Sequence, residues 1–234
     1  MKVKVLLEIF RRINWFKTIQ FNLYYFNLRV ALRFPILVYN RTSFRTLSGR
    51  ITIRGAIKTG MIRLGGPRMG IQDIRYSRTI WQVEGGVEFD GPAFIGRGCK
   101  ICVEKNAVLS YGEDFSCTGD TTFICTTRIK FGNDCLLSWD ILFMDTDFHK
   151  IIDKNQRTVN PPKAICVGDH VWVGCRCTVL KGTSLPHNVV VAAGSIVSGQ
   201  HDQNEVIYGG QGHEFGILKN EVRWTHLNFS YEQS

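Results

Sequence analysis

The chain has 234 residues, 44% of them hydrophobic, 12% aromatic and 21% charged, which is enough to bury a core and excludes a disordered polymer. Its formal net charge of +9 sits at one end: residues 1–80 hold 16 Lys and Arg against Glu8 and Asp73, while residues 81–234 hold 13 against 18. That segregation disfavours a general polyanion binder, and no nucleic-acid partner is expected.

Residues 1–48 read as a helical, basic and aromatic extension. From Val5 to Tyr39 large apolar residues alternate with Arg and Lys, and Glu8 is the single acid. Leu6, Leu7, Phe10, Ile13 and Phe16 form an approximate helical stripe, with Arg11, Arg12 and Lys17 partly off it. Trp15, Phe16, Tyr24, Tyr25 and Phe26 beside those cations suit the headgroup region of an anionic membrane. The same segment would serve as a cap over the open edge of whatever fold follows. No secretion signal is recognisable, since the apolar run Val5–Phe10 contains Glu8 and stops at Arg11 and Arg12. The uncharged stretch Thr18–Leu28 is shorter than the ~18–20 apolar residues of a spanning helix. The expected location is the cytoplasm, with peripheral contact at the inner face of a bacterial cytoplasmic membrane as an option.

Residues 49–200 carry a repeat, beginning with Ile51 and Ile57. From Val167 an aliphatic residue returns every six positions: Val167, Val173, Val179, Leu185, Val191, Val197. The same phase holds upstream at Val83, Phe89, Ile95, Ile101, Phe131, Leu137 and Phe143. It fades between Ala107 and Cys125, where a compensated insertion is expected. Four of the eight cysteines, Cys99, Cys117, Cys135 and Cys177, fall on the fifth position of the hexad, a slot for compact buried side chains. Cys99 and Cys102 have CxxC spacing, but Cys175 and Cys177 are too tight to supply the second pair of a zinc site, so buried thiols in a reducing compartment are expected. Such a period predicts a solenoid of short strands, mainly β, with three hexads to a triangular turn.

The hexad phase stops at Phe148 and resumes at Val167, a gap of three hexads. The intervening HKIIDKNQRTVNPPKAIC, residues 149–166, has a polar centre and a Pro-Pro exit, and reads as a loop extruded from one edge of a coil. His149 opens it. Acting as a general base near neutral pH is a task that histidine suits. Asp145 and Asp147 share a strand face with His149, so either is a candidate to orient the ring or to bind a substrate hydroxyl. His170 and His187 fall on outward hexad positions and read as surface residues. Trp172 is expected to pack on a coil face. No two histidines lie four apart, which argues against a γ-carbonic-anhydrase zinc site; no metal is expected. The stretch 201–234 reads as a C-terminal cap anchored by Trp224, Phe229 and Tyr231.

Over roughly residues 50–210 the chain resembles the hexapeptide-repeat acyltransferases. The segments MDTDFHKI, PPKAICVGDHVWVG and AAGSIVSG are similar to the maltose/galactoside and polysaccharide O-acetyltransferase branch. The resemblance implies a left-handed parallel β-helix, a homotrimer with sites between neighbouring solenoids, and acetyl-CoA as co-substrate. It implies that His149 is the catalytic base, and that Cys175, Ala193, Ser198 and Gly199 contact coenzyme A. Two features depart from the pattern: Gly199 stands where relatives often carry lysine, and the usual Gly-x-Pro-x-Arg/Lys element is missing near Gly209-Gly210-Gln211-Gly212. Lys181 and Lys219 are candidates to replace the missing phosphate contacts. The expected activity is acetyl transfer to a sugar hydroxyl of a surface polysaccharide or its lipid-linked precursor. An acetyltransferase for an antibiotic or other small acceptor, and a non-catalytic solenoid scaffold, are the alternatives.

Overall fold

The computed structural model describes residues 11–67, 73, 75–211 and 214–226. Leu6, Leu7 and Phe10 of the expected stripe, and Phe229 and Tyr231 of the expected cap, lie outside the described residues. Among the described residues the strands form three sheets of nine, seven and six. The chain visits them in rotation: Ile36–Val38 enters the first sheet, Thr42–Thr46 the second, Arg50–Ile53 the third, and Ile62–Gly66 returns to the first. Each coil therefore adds one parallel strand to each sheet, and the apolar residue of each strand stacks on its equivalents.

Register shows how the period is kept. Val173 pairs with Val191, Val179 with Val197 and Val167 with Leu185, each 18 residues on. Nearer the N-terminus Ile95 pairs with Cys117 and Cys117 with Leu137, steps of 22 and 20 that together restore a multiple of six. This is the compensated insertion between Ala107 and Cys125. It also corrects one expectation: four extra residues carry Cys117 from the fifth position of the hexad to the strand centre. There its thiol lies 3.6 Å from that of Cys99. Cys99, Cys135 and Cys177 are buried as expected. Burial pushes the Cys135 and Cys125 thiols up to about 12, so both act as small apolar groups.

The longer coils enclose a wider section, and aromatic rings fill it. Phe89, Tyr111 and Phe131 stack in sequence at 5.2 and 5.8 Å, with planes 17° and 5° apart, and Phe123 stacks on Phe143 at 5.6 Å. At the corners the chain must bend through left-handed backbone. His170, Arg176, Gly182, Asn188 and Gly194 take positive φ at six-residue intervals, and Asp114, Asp120, Asp134 and Asp140 do so upstream. The upstream positions are aspartates, which tolerate this region better than most side chains.

The solenoid begins at Ile36, not at residue 49, so the helical extension is shorter than expected. The reason the repeat hides there is that the first coils are irregular: Phe44 pairs with Trp81, 37 residues on, which breaks the six-residue phase. Ahead of it lie helix α1 (Trp15–Tyr25) and helix α2 (Leu28–Ala31), N-capped by the side chains of Asn14 and Asn27. Helix α1 is packed with its polar residues inward. Asn22 donates from Nδ2 to the Ile36 carbonyl at 2.7 Å, and its Oδ1 accepts the Ile36 N–H at 3.2 Å. Thr18 Oγ1 accepts from the Val38 N–H at 3.0 Å. These two side chains replace the neighbouring strand that the edge of the first sheet lacks. Phe21 joins them from the same face, edge-on to Trp81 at 5.2 Å. Phe16, Ile19 and Leu23 consequently face solvent, Phe16 with 77% of its surface exposed.

At the other end Ile207–Gly209 extends the first sheet, and Gly216–Lys219 pairs antiparallel to it and ends the stack. The chain then returns along the coils to bury Trp224, whose ring lies flat on His170 at 4.2 Å. His170 is thus not a plain surface residue: Nδ1 lies 2.6 Å from Asp134 and Nε2 contacts the Trp224 carbonyl at 3.1 Å. The sequence phase placed it outward correctly but carried no sign of the returning tail. Among the described residues no helix is long and apolar enough to cross a membrane.

Replacing Asn22 by alanine leaves the Ile36 N–H and C=O without partners and should cost about 1–3 kcal/mol locally. Native-state hydrogen exchange should show faster exchange at Ile36 and Val38, with Val173 and Val191 unchanged.

Candidate active site

The finger that leaves the solenoid starts after Leu142–Met144 in the second sheet and rejoins at Ile165–Val167 in the third. Leu137 pairs with Val173, 36 residues on, so the finger takes up one whole 18-residue coil and returns in phase. Asp153 closes its tip: Oδ1 accepts the Asn155 and Arg157 N–H groups at 2.7 and 2.9 Å, and Ile152 bridges Thr158.

Asp145 does not face this finger's solvent side. It is wholly buried, and its carboxylate accepts five hydrogen bonds of 2.8–2.9 Å from the N–H and hydroxyl groups of Thr126 and Thr127 and from the Arg128 N–H. Every acceptor site of the carboxylate is engaged, so it is in no position to orient the imidazole or bind a sugar; the expected substrate role is corrected to one of bracing the corner. Strand alternation fails as a guide here because the strand ends at Met144.

Asp147 is at the mouth, with its side chain 38% exposed. Lys181 Nζ pairs with its Oδ2, and Asn160 Nδ2 donates to the same oxygen at 2.7 Å. Lys181, then Asn160, hold the Asp147 carboxyl below the usual carboxylate range. Lys181 also donates to the Asn160 carbonyl at 3.0 Å, which commits it to the finger and not to a coenzyme A phosphate. Lys219 is exposed on the terminal antiparallel strand.

His149 is exposed, and its backbone is held on both sides. Its N–H donates to the Asp147 carbonyl at 2.7 Å, and its own carbonyl accepts from Asn160 Nδ2 at 2.8 Å. The residue before it, Phe148, takes φ +59, an uncommon conformation for a bulky side chain that costs on the order of 1–3 kcal/mol. Thr146 Oγ1 accepts the Phe148 N–H at 3.0 Å and helps to enforce that turn. Asn160 and Thr146 were not foreseen; a lone Asn before a Pro-Pro pair carries no signal of its role, since its partners are 9 to 13 residues away.

The four expected coenzyme A positions divide between two edges. Cys175 and Ala193 lie where the first sheet turns into the second, stacked so that the Gly194 N–H donates to the Cys175 carbonyl at 2.9 Å. Ser198 and Gly199 lie where the second turns into the third, the edge from which the His149 finger emerges. Ala193, Ser198 and Gly199 are exposed and Cys175 half-buried. Trp172, 36% exposed, stands on the outer face of the first sheet and donates from Nε1 to Ser138 Oγ at 3.1 Å.

The fold is a β-solenoid of six-residue repeats with a finger at one edge. In a solved structure of the polySia-specific acetyltransferase NeuO the same fold recurs, with a TM-score of 0.51 at 17% identity over 83% of this chain and 80% of that one. This makes the solenoid the left-handed parallel β-helix. By sequence the chain is similar, over part of its length, to a polysialic acid O-acetyltransferase and a putative lipopolysaccharide biosynthesis O-acetyl transferase. It is 30% identical to the polysialic acid O-acetyltransferase of Neisseria meningitidis over 85 residues, 36% of each chain. It is 24% identical to the putative lipopolysaccharide biosynthesis O-acetyl transferase WbbJ of Escherichia coli over 136 residues, 54% of this chain and 69% of that one. The match thus spans just over a third of the Neisseria relative's length. No family profile matches the chain.

Asp145→Ala strips the acceptor from five donors and should lower the unfolding free energy by about 3 kcal/mol or more, read by urea denaturation. Asp147→Ala, at an exposed site, should leave the urea midpoint nearly unchanged.

Proposed function

We propose that the chain is an acetyl-CoA-dependent O-acetyltransferase whose acceptor is a sugar hydroxyl of a surface polysaccharide or its lipid-linked precursor, with His149 as general base. The observation that carries this reading is the rigid presentation of His149 at the base of the finger, in a fold and a set of sequence relatives associated with that chemistry. The imidazole takes the hydroxyl proton as the oxygen attacks the thioester carbonyl. The tetrahedral intermediate then collapses, the C–S bond breaks, and the imidazolium returns the proton to the departing thiolate. Asp147, Asn160 and Lys181 act on this step by fixing the backbone of residue 149. The pantetheine arm lies along the strands Thr178–Leu180 and Ile196–Val197, which Cys175 and Ala193 border on one side and Ser198 and Gly199 on the other.

A single solenoid leaves that face open. The finger also exposes Phe148, Ile151, Ile152 and Val159, each more than half exposed, an apolar set that a neighbouring copy would cover. Both features favour a homotrimer with the site between copies.

His149→Ala should reduce kcat by 10²–10⁴-fold. Acetyl-CoA at 100 times its dissociation constant should still add about 2.7 kcal/mol of stability to the variant, seen as a thermal shift. No shift in either protein would sink the transferase reading and leave a scaffold.

The outward face of α1 supports placement at a membrane. Phe16, Ile19 and Leu23 of α1 are exposed, as are Leu28 in α2 and Leu32 just after it, with exposed Arg11, Arg12, Arg29 and Arg33 in the same segment, and no acid occurs between Glu8 and Asp73. An anionic lipid surface complements both properties, each nearby cation adding about 1 kcal/mol. Inward capping and outward lipid contact use opposite faces of the same helix. Phe16→Asp with Leu23→Asp should cut binding to phosphatidylglycerol vesicles at least tenfold in a sedimentation assay; undiminished binding would overturn the placement.

A further inference from the structure

Beside α1 a cleft of about 520 Å³ opens at the N-terminal end of the solenoid. Lys17, Arg41, Arg75 and Arg78 line it with Thr42, Ser43 and Tyr76, and among the described residues no lining residue is acidic. Asp73, the nearest acid in sequence to Arg75, spends its Oδ1 on the N–H groups of Arg75 and Tyr76. Lys17 is oriented by the Thr42 carbonyl, to which its Nζ donates, and the Arg75 guanidinium sits over the Tyr76 ring at 5.4 Å. The local field is strongly positive. Arg97 is buried, and its pKa is lowered first by that burial and then by the charges of Arg12 and Arg41, with the Asp120 carboxylate opposing the shift. Four cationic side chains line one concavity, and a multiply charged oxyanion would neutralise them while matching the guanidinium forks.

We propose that this cleft is a phosphate site that takes the phosphate or diphosphate group through which the acceptor glycan is attached to its carrier. The link to the acceptor rests on the transferase reading; the phosphate affinity does not. Phosphate chemistry fits better than a diffuse basic patch because the charges line one concavity and three of them are arginines. Lys17 ties the cleft to the apolar face, since Phe16 beside it is exposed on the same helix, and a carrier with a phosphate head and a hydrocarbon tail meets both. Four strand steps of the second sheet separate Thr42–Thr46 from Leu142–Met144, about 19 Å along the axis. Arg41 and Arg78 stand at the start of their strands in that sheet and His149 follows the end of Leu142–Met144, so a glycan held through its phosphate in the cleft would climb that distance and also cross the sheet to reach His149.

The test is calorimetric titration of the full chain with inorganic pyrophosphate in chloride buffer, for the wild type and for the Arg41→Gln/Arg78→Gln double variant. Saturable binding to the wild type, at least tenfold weaker in the variant, is expected. No binding, or equal binding to both, overturns the site. Acetyl-CoA should shift the melting temperature of both proteins equally, which shows that the variant is folded; a missing acetyl-CoA shift in both defeats the transferase reading while the pyrophosphate result stands. Vesicles containing phosphatidic acid or phosphatidylglycerol at matched charge separate the sources. An excess on the phosphomonoester, lost in the variant, assigns a lipid phosphate; equal binding with the pyrophosphate affinity intact assigns a soluble one.

Discussion

Every coil of this molecule depends on its neighbours for burial. One turn of three short strands cannot hide its own apolar residues, so Val173 is kept dry by Leu137 above and Val191 below, and the same holds around the triangle. The consequence is strict: equivalent residues must stay in register, and anything added must leave at an edge and return in phase. The 22- and 20-residue steps around Cys117 obey this by compensation, and the finger obeys it by occupying one whole coil. The finger that carries His149, the proposed base, leaves at an edge because there chain can be added without disturbing the stack.

The two ends of the stack meet the opposite difficulty, having a neighbour on one side alone. At the N-terminal end the solution is a helix turned inside out, with Thr18 and Asn22 satisfying backbone groups and aliphatic residues displaced to the surface. At the C-terminal end an antiparallel strand closes the first sheet, and Trp224 on His170 holds the returning chain. Capping the first edge with polar atoms is what frees an apolar helix face for another partner. The charge asymmetry follows the same division: the cations gather at the capped end, whereas the edges proposed for acyl transfer lie in the mildly acidic part.

At the finger, rigidity is local. The uncommon backbone of Phe148 and the Asp147–Lys181–Asn160 cluster fix the backbone of His149 while its side chain stays exposed. Strain at such a point is sustained by several independent contacts, a usual arrangement where a group must be presented in one orientation. Asp145, two residues earlier than Asp147, has the contrasting task of tying two corners together from inside.

Much of the fold was legible from the sequence, since a six-residue aliphatic period has few structural solutions and the 18-residue gap marks where chain departs. The period determined the triangular coil, the inward residues and the edge that carries His149. It could not show the first coils, whose irregular lengths hide Ile36 and Phe44 from any phase, nor the shift of Cys117. Asp145 and Asp147 look alike in sequence, both acidic and both near His149. Only the tertiary structure assigned one to the interior and one to the mouth, because their difference lies in donors from Thr126–Arg128 and from Lys181, brought close by coil stacking. Periodicity specifies what repeats; contacts between coils decide the residues that do not.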